Sequence, residues 1–236
     1  MRPPVMTIEE FLPGSELATI AGLAANAVFT DGSKNVGGIN SKVKNNLEMV
    51  AGKEYVEIVK TVERAIQANH ELNHSMFPCA ITRTVISKYD HGMLYGTHID
   101  AAVTGFRSQA VALGRYGQNY VRNDFAMTIF LVGPDSYVGG ELCIYTPAGR
   151  LTYKLSQGSA VVYPAGMPHA VAAVERGTRM VAVVWLQSMI HDHERRNLVT
   201  DMDRLARQVS AKRVASREAE LAKNVAARAL LRSAQV

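Results

Sequence analysis

Apolar residues recur at helical spacing in two stretches before residue 80. After the turn Pro13-Gly14-Ser15, a first helix is predicted by the apolar positions Leu17, Ile20, Leu23 and Ala24. A longer helix is predicted from about Glu54, where one apolar stripe is formed by Tyr55, Ile58, Val59, Val62 and Ile66. Between them, Asp31-Gly32 and Gly37-Gly38 predict a loop or a hairpin. Both helices are expected to pack on a core.

From Ala80 the pattern changes to short runs rich in β-branched and aromatic residues, separated by Gly, Pro and Asp. These runs predict strands at 81–89, 125–132, 141–145, 151–155, 160–163, 170–174 and 180–186. Because no helix is predicted between them, the strands should pair antiparallel in a sandwich or a barrel. After Ser188 the chain is polar and helical to its end.

The expected fold class is therefore α+β, mainly β, in one structural domain with three parts. Residues 1–78 form an N-terminal helical region that supports the core. Residues 79–190 form the β core, and residues 191–236 form a C-terminal helical tail.

The net charge of +5 is concentrated in the tail, since residues 204–236 carry eight Lys and Arg against two acidic residues. Phosphate-binding domains usually spread their basic residues over a recognition face. We therefore expect a solvated helix rather than a nucleic-acid arm. Apolar tail positions could pack on the same domain or on a second copy, which leaves a homodimer open: Leu205, Val209, Val214, Leu221, Val225 and Leu230.

Cysteine usage and hydropathy indicate the compartment in which the protein is expected to work. Cys79 and Cys143 belong to no CxxC pair, so no disulfide framework or zinc knuckle is predicted, and both are expected to be buried. No stretch approaches the roughly 20 apolar residues that cross a bilayer, and the N-terminus lacks the profile of a secretory signal. The expectation is a cytoplasmic protein with no membrane partner.

Candidate chemistry begins with Tyr95-Gly96-Thr97-His98-Ile99-Asp100. In an extended chain, residues i and i+2 point to the same side, so His98 and Asp100 can converge on one ion while Ile99 packs into the core. His169 follows a turn and opens the next β run, and we expect its strand to lie on the sheet facing that of His98. Two imidazoles and one carboxylate with open positions suit ferrous iron better than structural zinc.

Arg179 is the candidate anchor for an anionic co-substrate. It begins the run Met180-Val181-Ala182-Val183-Val184-Trp185, from which its side chain can point into the metal cavity. A guanidinium matches the geometry of a carboxylate. Arg176 is the competing candidate, but Glu175-Arg176-Gly177-Thr178 is typical of a turn, where a long cation is solvated.

Together these residues resemble a known family, the PKHD-type Fe(II)- and 2-oxoglutarate-dependent hydroxylases, relatives of the prolyl 4-hydroxylases. The resemblance extends over most of the chain and is carried by ordered motifs at matching separations. They are Asp31-Gly32, Val43-Lys44-Asn45-Asn46, Tyr89 through Asp100, Gly139-Gly140-Glu141-Leu142, His169, Arg176-Gly177-Thr178-Arg179 and Trp185-Leu186-Gln187-Ser188.

The resemblance implies a double-stranded β-helix, or jelly-roll, core and a set of roles. His98, Asp100 and His169 would bind Fe(2+), and Arg179 would bind the distal carboxylate of 2-oxoglutarate. Tyr89 would share that carboxylate or be a buried strand tyrosine. The co-substrates would be 2-oxoglutarate and O2, with L-ascorbate as an optional addition. Because Asp100 is present, hydroxylation with release of succinate and CO2 is favoured over halogenation.

The sequence leaves the substrate open. An amino-acid side chain, peptidyl or free, and another small metabolite are alternatives of one mechanism. The intact set of His98, Asp100, His169 and Arg179 argues against a non-catalytic jelly-roll binding module. A nucleic-acid demethylase is suggested only by the basic tail.

The long connection after Asp100, about 104–124, could select substrate through Arg107, Arg115, Tyr116 and Tyr120, or be an ordinary loop. Gly139-Gly140 is predicted to form a turn with unusual backbone angles.

Overall fold

A computed structural model describes residues 5–36, 40–105 and 120–235. Its helices are α1 Gly14–Ala25, α2 Asn40–Val43, α3 Lys53–Ala68, α4 His70–Met76, α5 His193–Lys212 and α6 Arg217–Ser233. In these three ranges, no helix has both the length and the apolar character needed to cross a membrane.

Antiparallel strands form the rest of the framework. In chain order they are β1 Met6–Ile8, β2 Phe29–Asp31, β3 Lys44–Asn45, β4 Leu47–Met49, β5 Pro78–Tyr89, β6 Leu94–His98, β7 Val103–Gly105, β8 Tyr120–Arg122, β9 Phe125–Phe130, β10 Tyr137–Gly139, β11 Leu142–Thr146, β12 Gly149–Tyr153, β13 Ala160–Pro164, β14 His169–Val171, β15 Val174–Gly177 and β16 Arg179–Ser188.

Two sheets dominate. The larger has seven strands in the order β1-β13-β9-β16-β5-β4-β2, and the smaller has five in the order β12-β11-β14-β6-β3. Pairs β10–β15 and β7–β8 form two further ribbons. The segment from β3 to β4 crosses from the edge of the small sheet to the large one, so the two sheets are joined covalently beside their shared interior.

The large sheet is buried on both faces. On its outer face, Ile86, Ala182 and Val184 pack in one cluster with Ile58 and Val62 of α3. On its inner face, alternate residues of the same strands pack against the small sheet in a second cluster that includes Tyr89, Val181, Leu142, Ile144 and Val171. The period of two along each strand therefore separates a helix-facing side from a sheet-facing side.

The N-terminal region departs from the expected helical character of residues 1–78. Besides α1 to α4 it supplies β1 to β4, which extend both sheets. Each of these strands has at most three residues. Such short segments show no hydrophobic period, and their pairing depends on distant strands, which explains why the pattern did not predict them.

The predicted core strands are all present with shifted ends, and the helices predicted near residues 17–24 and 54–66 are α1 and α3. The run predicted at 170–174 is divided between β14 and β15, which join different sheets. The fold is thus a mixture of helices and antiparallel sheets. Cys143 is buried as expected, whereas Cys79 is exposed because it lies near the start of β5.

The last two helices pack on their own domain. Phe77, Ile190 and Val199 form a small buried cluster, against which Ala229 and Leu230 of α6 pack. Arg196 of α5 is buried, donates a hydrogen bond to the Ile190 carbonyl at 2.7 Å, and lies 4.5 Å above the Phe125 ring. The tail is therefore partly a structural support of the core.

Candidate active site

The two candidate histidines lie on neighbouring strands of one sheet. β14 pairs with β6, and His169 is the register partner of His98. The expectation that the two strands occupy facing sheets was wrong, because both belong to the small sheet. Direct pairing brings the two imidazole centroids to 4.2 Å, so the strand ladder itself places both rings at one point of the interior.

Asp100 joins them from just beyond the end of β6. Its Oδ1 lies 3.8 Å from His98 Nε2 and its Oδ2 lies 3.8 Å from His169 Nε2. The intervening Ile99 is 50% exposed, so the expectation that it packs into the core was wrong. The strand ends at His98, and Ile99 lies on the side opposite His98 and Asp100, where no part of the described core covers it.

Backbone carbonyls fix the tautomer of both imidazoles. His98 Nδ1 is 2.9 Å from the Gly96 carbonyl oxygen, and His169 Nδ1 is 2.9 Å from the Met167 carbonyl oxygen. A carbonyl can only accept, so each Nδ1 donates and each Nε2 keeps its lone pair for the interior. The ligand-type atoms of His98, Asp100 and His169 all lie within 4.8 Å of one another.

Electrostatics at this cluster favour a bound cation. Burial, helped by the neighbouring His169, lowers the pKa of His98 to about 3, so its imidazole is neutral. Burial also raises the pKa of Asp100, against the opposing effects of His169 and of the Trp185 indole, which donates to Asp100 Oδ2 at 2.8 Å. A buried carboxylate beside the neutral His98 imidazole favours an added positive charge, which a divalent metal would supply.

Arg179 and Tyr89 are neighbours on two adjacent strands of the large sheet. Arg179 begins β16, is 1% exposed and is the register partner of Tyr89 on β5. Its guanidinium carbon lies 5.0 Å from the Tyr89 ring centroid. Within the described ranges, Arg179 Nε and Nη1 are buried without a hydrogen-bond partner. Two unused donors on a buried guanidinium that lines the metal cavity are suited to an anion that enters it.

The glycine pair beside Arg179 has the positive backbone angles that the sequence predicted. Gly139 and Gly140 have φ of +73° and +68°. A Cβ on Gly139 would lie 2.1 Å from the Ala173 carbonyl oxygen, and a Cβ on Gly140 would lie 3.1 Å from Arg179 Cδ. The turn therefore lets the β10 end approach β15 and leaves space for the arginine side chain.

Four alternate register pairs of β5 and β16 share the inner face of the large sheet, and most of their residues line the two cavities. The register pairs are Tyr89 with Arg179, Ser87 with Val181, Val85 with Val183 and Arg83 with Trp185. Trp185 was not singled out from the sequence as a site residue. The period of two along β16 from Arg179 is the signal that could have found it, because residues 179, 181, 183 and 185 share one face.

The crossover between the sheets supplies another wall that the sequence did not assign. Lys44 of β3 and Glu48 of β4 form a buried ion pair that lines the cavity with the metal cluster. Lys44 Nζ also lies 5.3 Å from the centroid of the Tyr95 ring, which stacks on the His98 imidazole at 3.5 Å. No periodic pattern marks this pair, since it depends on the turn between two very short strands.

An outer cavity of about 340 Å³ adjoins the metal cluster. Asp100, Lys44, Glu48, Tyr95 and Trp185 line both spaces, so the outer cavity lies directly beside the cluster. A cavity of about 410 Å³ between α4, α5 and α6 is lined by other residues and is separate from this chemistry.

The remaining predicted residues take no described part in the site. Arg176 lies exposed on β15, so its side chain is solvated as expected, although it sits in a strand rather than a turn. Arg107, Arg115 and Tyr116 lie outside the described residues, as does Gly37-Gly38. Tyr120 begins β8, but its side chain is not described.

Comparisons with known proteins agree with this geometry. The model of the 2OG-Fe(II) oxygenase superfamily matches residues 84–187, which contain the whole candidate cluster and Arg179. A PKHD-type hydroxylase of Acaryochloris marina is 36% identical over 209 residues, 88% of this chain and 89% of the relative. A PKHD-type hydroxylase of a Synechococcus species is 34% identical over 98% of this chain and all of the relative.

Solved structures agree at the level of the fold. A prolyl-4-hydroxylase from Pseudomonas putida superposes with a TM-score of 0.51 at 16% identity, covering 78% of this chain and 92% of that one. A prolyl hydroxylase from Trichoplax adhaerens, solved with a peptide fragment of hypoxia inducible factor, superposes with a TM-score of 0.52 at 18% identity, covering 83% and 86%.

The fold and the matched segment define a 2-oxoglutarate-dependent dioxygenase that uses Fe(2+), 2-oxoglutarate and O2. More particularly, the chain belongs to the PKHD-type hydroxylases, because relatives of that name match nearly its full length.

Proposed function

We propose that His98, Asp100 and His169 hold the iron of this hydroxylase. Support comes from two Nε2 lone pairs and one carboxylate within 4.8 Å of one another, with both histidine tautomers fixed by backbone carbonyls. Two histidines and one carboxylate leave positions for further ligands on a ferrous ion. The bound iron supplies the oxidising chemistry that inserts oxygen into a C–H bond as 2-oxoglutarate becomes succinate and CO2.

The single observation that carries the co-substrate assignment is the pair of unpartnered donors on buried Arg179. We propose that they bind the distal carboxylate of 2-oxoglutarate. Tyr89 is placed to share it, because burial raises the pKa of Tyr89 to about 12 and its hydroxyl therefore remains a donor. A carboxylate anchored at this end would extend along the wall toward the cluster.

Other side chains in this proposal orient the ligands and exclude water. The Trp185 indole holds one oxygen of Asp100 by its hydrogen bond, and the Tyr95 ring covers one face of His98. Tyr163 packs its ring edge against His169 at 5.1 Å. Such supporting contacts keep metal ligands in one orientation and limit solvent access.

The substrate we propose is an amino-acid side chain, peptidyl or free, hydroxylated at an aliphatic carbon. The apolar walls Val85 and Trp185 beside Asp100 suit an aliphatic group at the cluster. Another small metabolite is the second candidate, supported by the limited size of the outer cavity. The three metal-ligand side chains beside Arg179 count against a non-catalytic binding module.

For the architecture, we propose that the two sheets form a double-stranded β-helix. The non-sequential order of β13, β9, β16 and β5 in the large sheet and of β11, β14 and β6 in the small sheet is what a jelly-roll requires.

The proposal is tested by iron content and by succinate formation from 2-oxoglutarate. Asp100→Ala and His169→Ala should each lose bound iron after reconstitution with Fe(2+) and form at least about a hundredfold less succinate, as expected for disrupted metal sites. The matched control is His193→Ala, an exposed histidine at the start of α5. Normal iron content and succinate formation in either cluster variant would refute the assignment.

A further inference from the structure

Arg83 is a charged cavity residue that the proposed reaction does not use. Its side chain is 43% exposed and lines the outer cavity. Its nearest acidic atom within the described ranges is Glu48 Oε2, 3.6 Å from Nη2, which exceeds hydrogen-bond distance. Within the described ranges the guanidinium therefore has only this longer contact to Glu48, and its N–H donors can bind something that enters the cavity.

The position of Arg83 mirrors that of Arg179. Both point from the same inner face of paired strands, with Arg179 opposite Tyr89 at one end and Arg83 opposite Trp185 at the other. Six residues of strand separate Tyr89 from Arg83, which is roughly 20 Å. Trp185, the register partner of Arg83, donates to Asp100, and Asp100 and Arg83 line the same outer cavity.

Among the described residues, Glu48 neutralises Arg83 only in part. Glu48 already forms the buried ion pair with Lys44 and accepts a hydrogen bond from Asn35 Nδ2 at 2.7 Å. That pair is neutral as a unit, so the lining side chains that the structure describes, apart from metal-cluster Asp100, carry one net positive charge, that of Arg83. A cavity of this charge favours a ligand with one anionic group.

We propose that the outer cavity binds a free carboxylate of the substrate, with Arg83 as its anchor and the target carbon directed toward the cluster. The substrate class is then a small carboxylic acid, such as a free amino acid, rather than a residue within a peptide. This inference rests on the proposed function of the same site. An internal peptide residue has no backbone carboxylate to satisfy Arg83, and about 340 Å³ matches the lower range of small-molecule pockets.

The test measures binding rather than turnover. Full-length protein is loaded with Mn(2+) in place of iron and with 2-oxoglutarate, and NMR relaxation of probe protons by Mn(2+) reports both affinity and proximity to the metal. The probes are the common free L-amino acids, the α-carboxamide of each, and peptides blocked at both termini. At least one acid should bind about tenfold or more tightly than its own amide, as expected for a charge-assisted hydrogen-bond pair.

Two variants separate a specific role from a structural one. In Arg83→Met the ratio of acid to amide affinity should fall to about one, because only the charged contact is removed. In Arg150→Met, which changes an exposed arginine on β12, the ratio should stay at its original value. A general loss of structure would weaken acids and amides alike and leave the ratio unchanged, which would count against Arg83.

The inference is overturned if amides bind as tightly as acids, if blocked peptides bind more tightly than any free acid, or if no acid binds. Succinate formation by the Fe(2+) form is measured on the same preparations. Preference for acids without succinate formation would refute the proposed function and leave the carboxylate site standing. Succinate formation without a preference for acids would refute the carboxylate site and leave the proposed function standing.

Discussion

At the scale of single residues, Arg179 shows how an unsatisfied group identifies a ligand. Its guanidinium is 1% exposed and stacks near the Tyr89 and Phe130 rings, at 5.0 and 5.8 Å from their centroids. Cation–π contacts of this kind are worth roughly 2 kcal/mol when desolvated, less than the several kcal/mol that burial of a charge costs. The two unpartnered nitrogens indicate that an anionic partner completes the arrangement.

Replacing Arg179 with Lys should weaken 2-oxoglutarate binding by at least about tenfold. A lysine keeps the charge but loses the planar pair of donors that matches a carboxylate. The measurement is the 2-oxoglutarate KM in succinate formation, together with equilibrium binding to the Mn(2+) form. Arg176→Lys, three residues earlier and exposed, is the control. An unchanged affinity in Arg179→Lys would remove this residue from the co-substrate site.

Tyr89 should remain protonated far into the alkaline range. Burial raises its pKa to about 12, from about 10 in an unfolded chain. The unfolded chain therefore loses this proton first, so the stabilising contribution is complete below pH 10 and is lost as pH rises through about 12. Tyrosinate absorbance of the folded protein minus that of Tyr89→Phe should show no ionisation near pH 10. A difference signal with a midpoint at pH 10 would contradict the burial argument.

At the scale of elements, the crossover from β3 to β4 links the two sheets through side chains as well as through the backbone. Lys44 and Glu48 pair across it, and Asn46 between them occupies the space above Gly32, where a Cβ would lie 2.2 Å from Asn46 Oδ1. This explains why Asp31-Gly32 and Lys44-Asn45-Asn46 occur together. Lys44 and Glu48, at the two ends of the crossover, line the cavity that contains the metal cluster.

Removing one partner of this buried pair should be costly. Lys44→Met leaves Glu48 charged and buried, which we expect to lower the free energy of unfolding by about 3 kcal/mol. Urea unfolding measures the change. The control is Lys60→Met on α3, which removes the exposed ion pair to Glu57 and should change stability by less than about 0.5 kcal/mol. Equal changes in the free energy of unfolding would show that the crossover pair contributes no more to stability than an exposed ion pair.

Sequence patterns predicted those elements whose signal is local. β5 and β16 are long strands rich in β-branched residues. Arg179 was predicted to reach the cavity from the start of its strand, whereas the role of Tyr89 was implied only by the family resemblance. Pairing is a non-local property, so the sequence could not show that His169 lies beside His98 in one sheet. The same limit hid Glu48 and Arg83, whose importance comes from the crossover and from the register of β5 with β16.

At the scale of the whole molecule, the C-terminal helices stabilise the domain that carries the site. Val199 of α5 is 2% exposed and packs with Phe77 and Ile190 at the end of the β core. The same helices leave apolar residues exposed, including Leu205 at 58% and Leu221 at 63%. The tail is thus amphipathic, with one face fixed on its own domain.

Val199→Ala should therefore destabilise the entire domain. Losing two buried methyl groups with incomplete relaxation costs about 2 kcal/mol. Val214→Ala, at a position 83% exposed between α5 and α6, should change stability by less than about 0.5 kcal/mol. Thermal and urea unfolding measure both. A Val199→Ala protein as stable as the control would mean that the tail does not contribute to the fold.

The most direct test of the central claim is an anomalous diffraction measurement at the iron edge, on crystals grown without oxygen in the presence of Fe(2+) and 2-oxoglutarate. We expect one iron peak bonded to Nε2 of His98, Nε2 of His169 and a carboxylate oxygen of Asp100, with the distal carboxylate of 2-oxoglutarate on Arg179. Iron bound by other residues, or a co-substrate carboxylate held away from Arg179, would contradict this expectation.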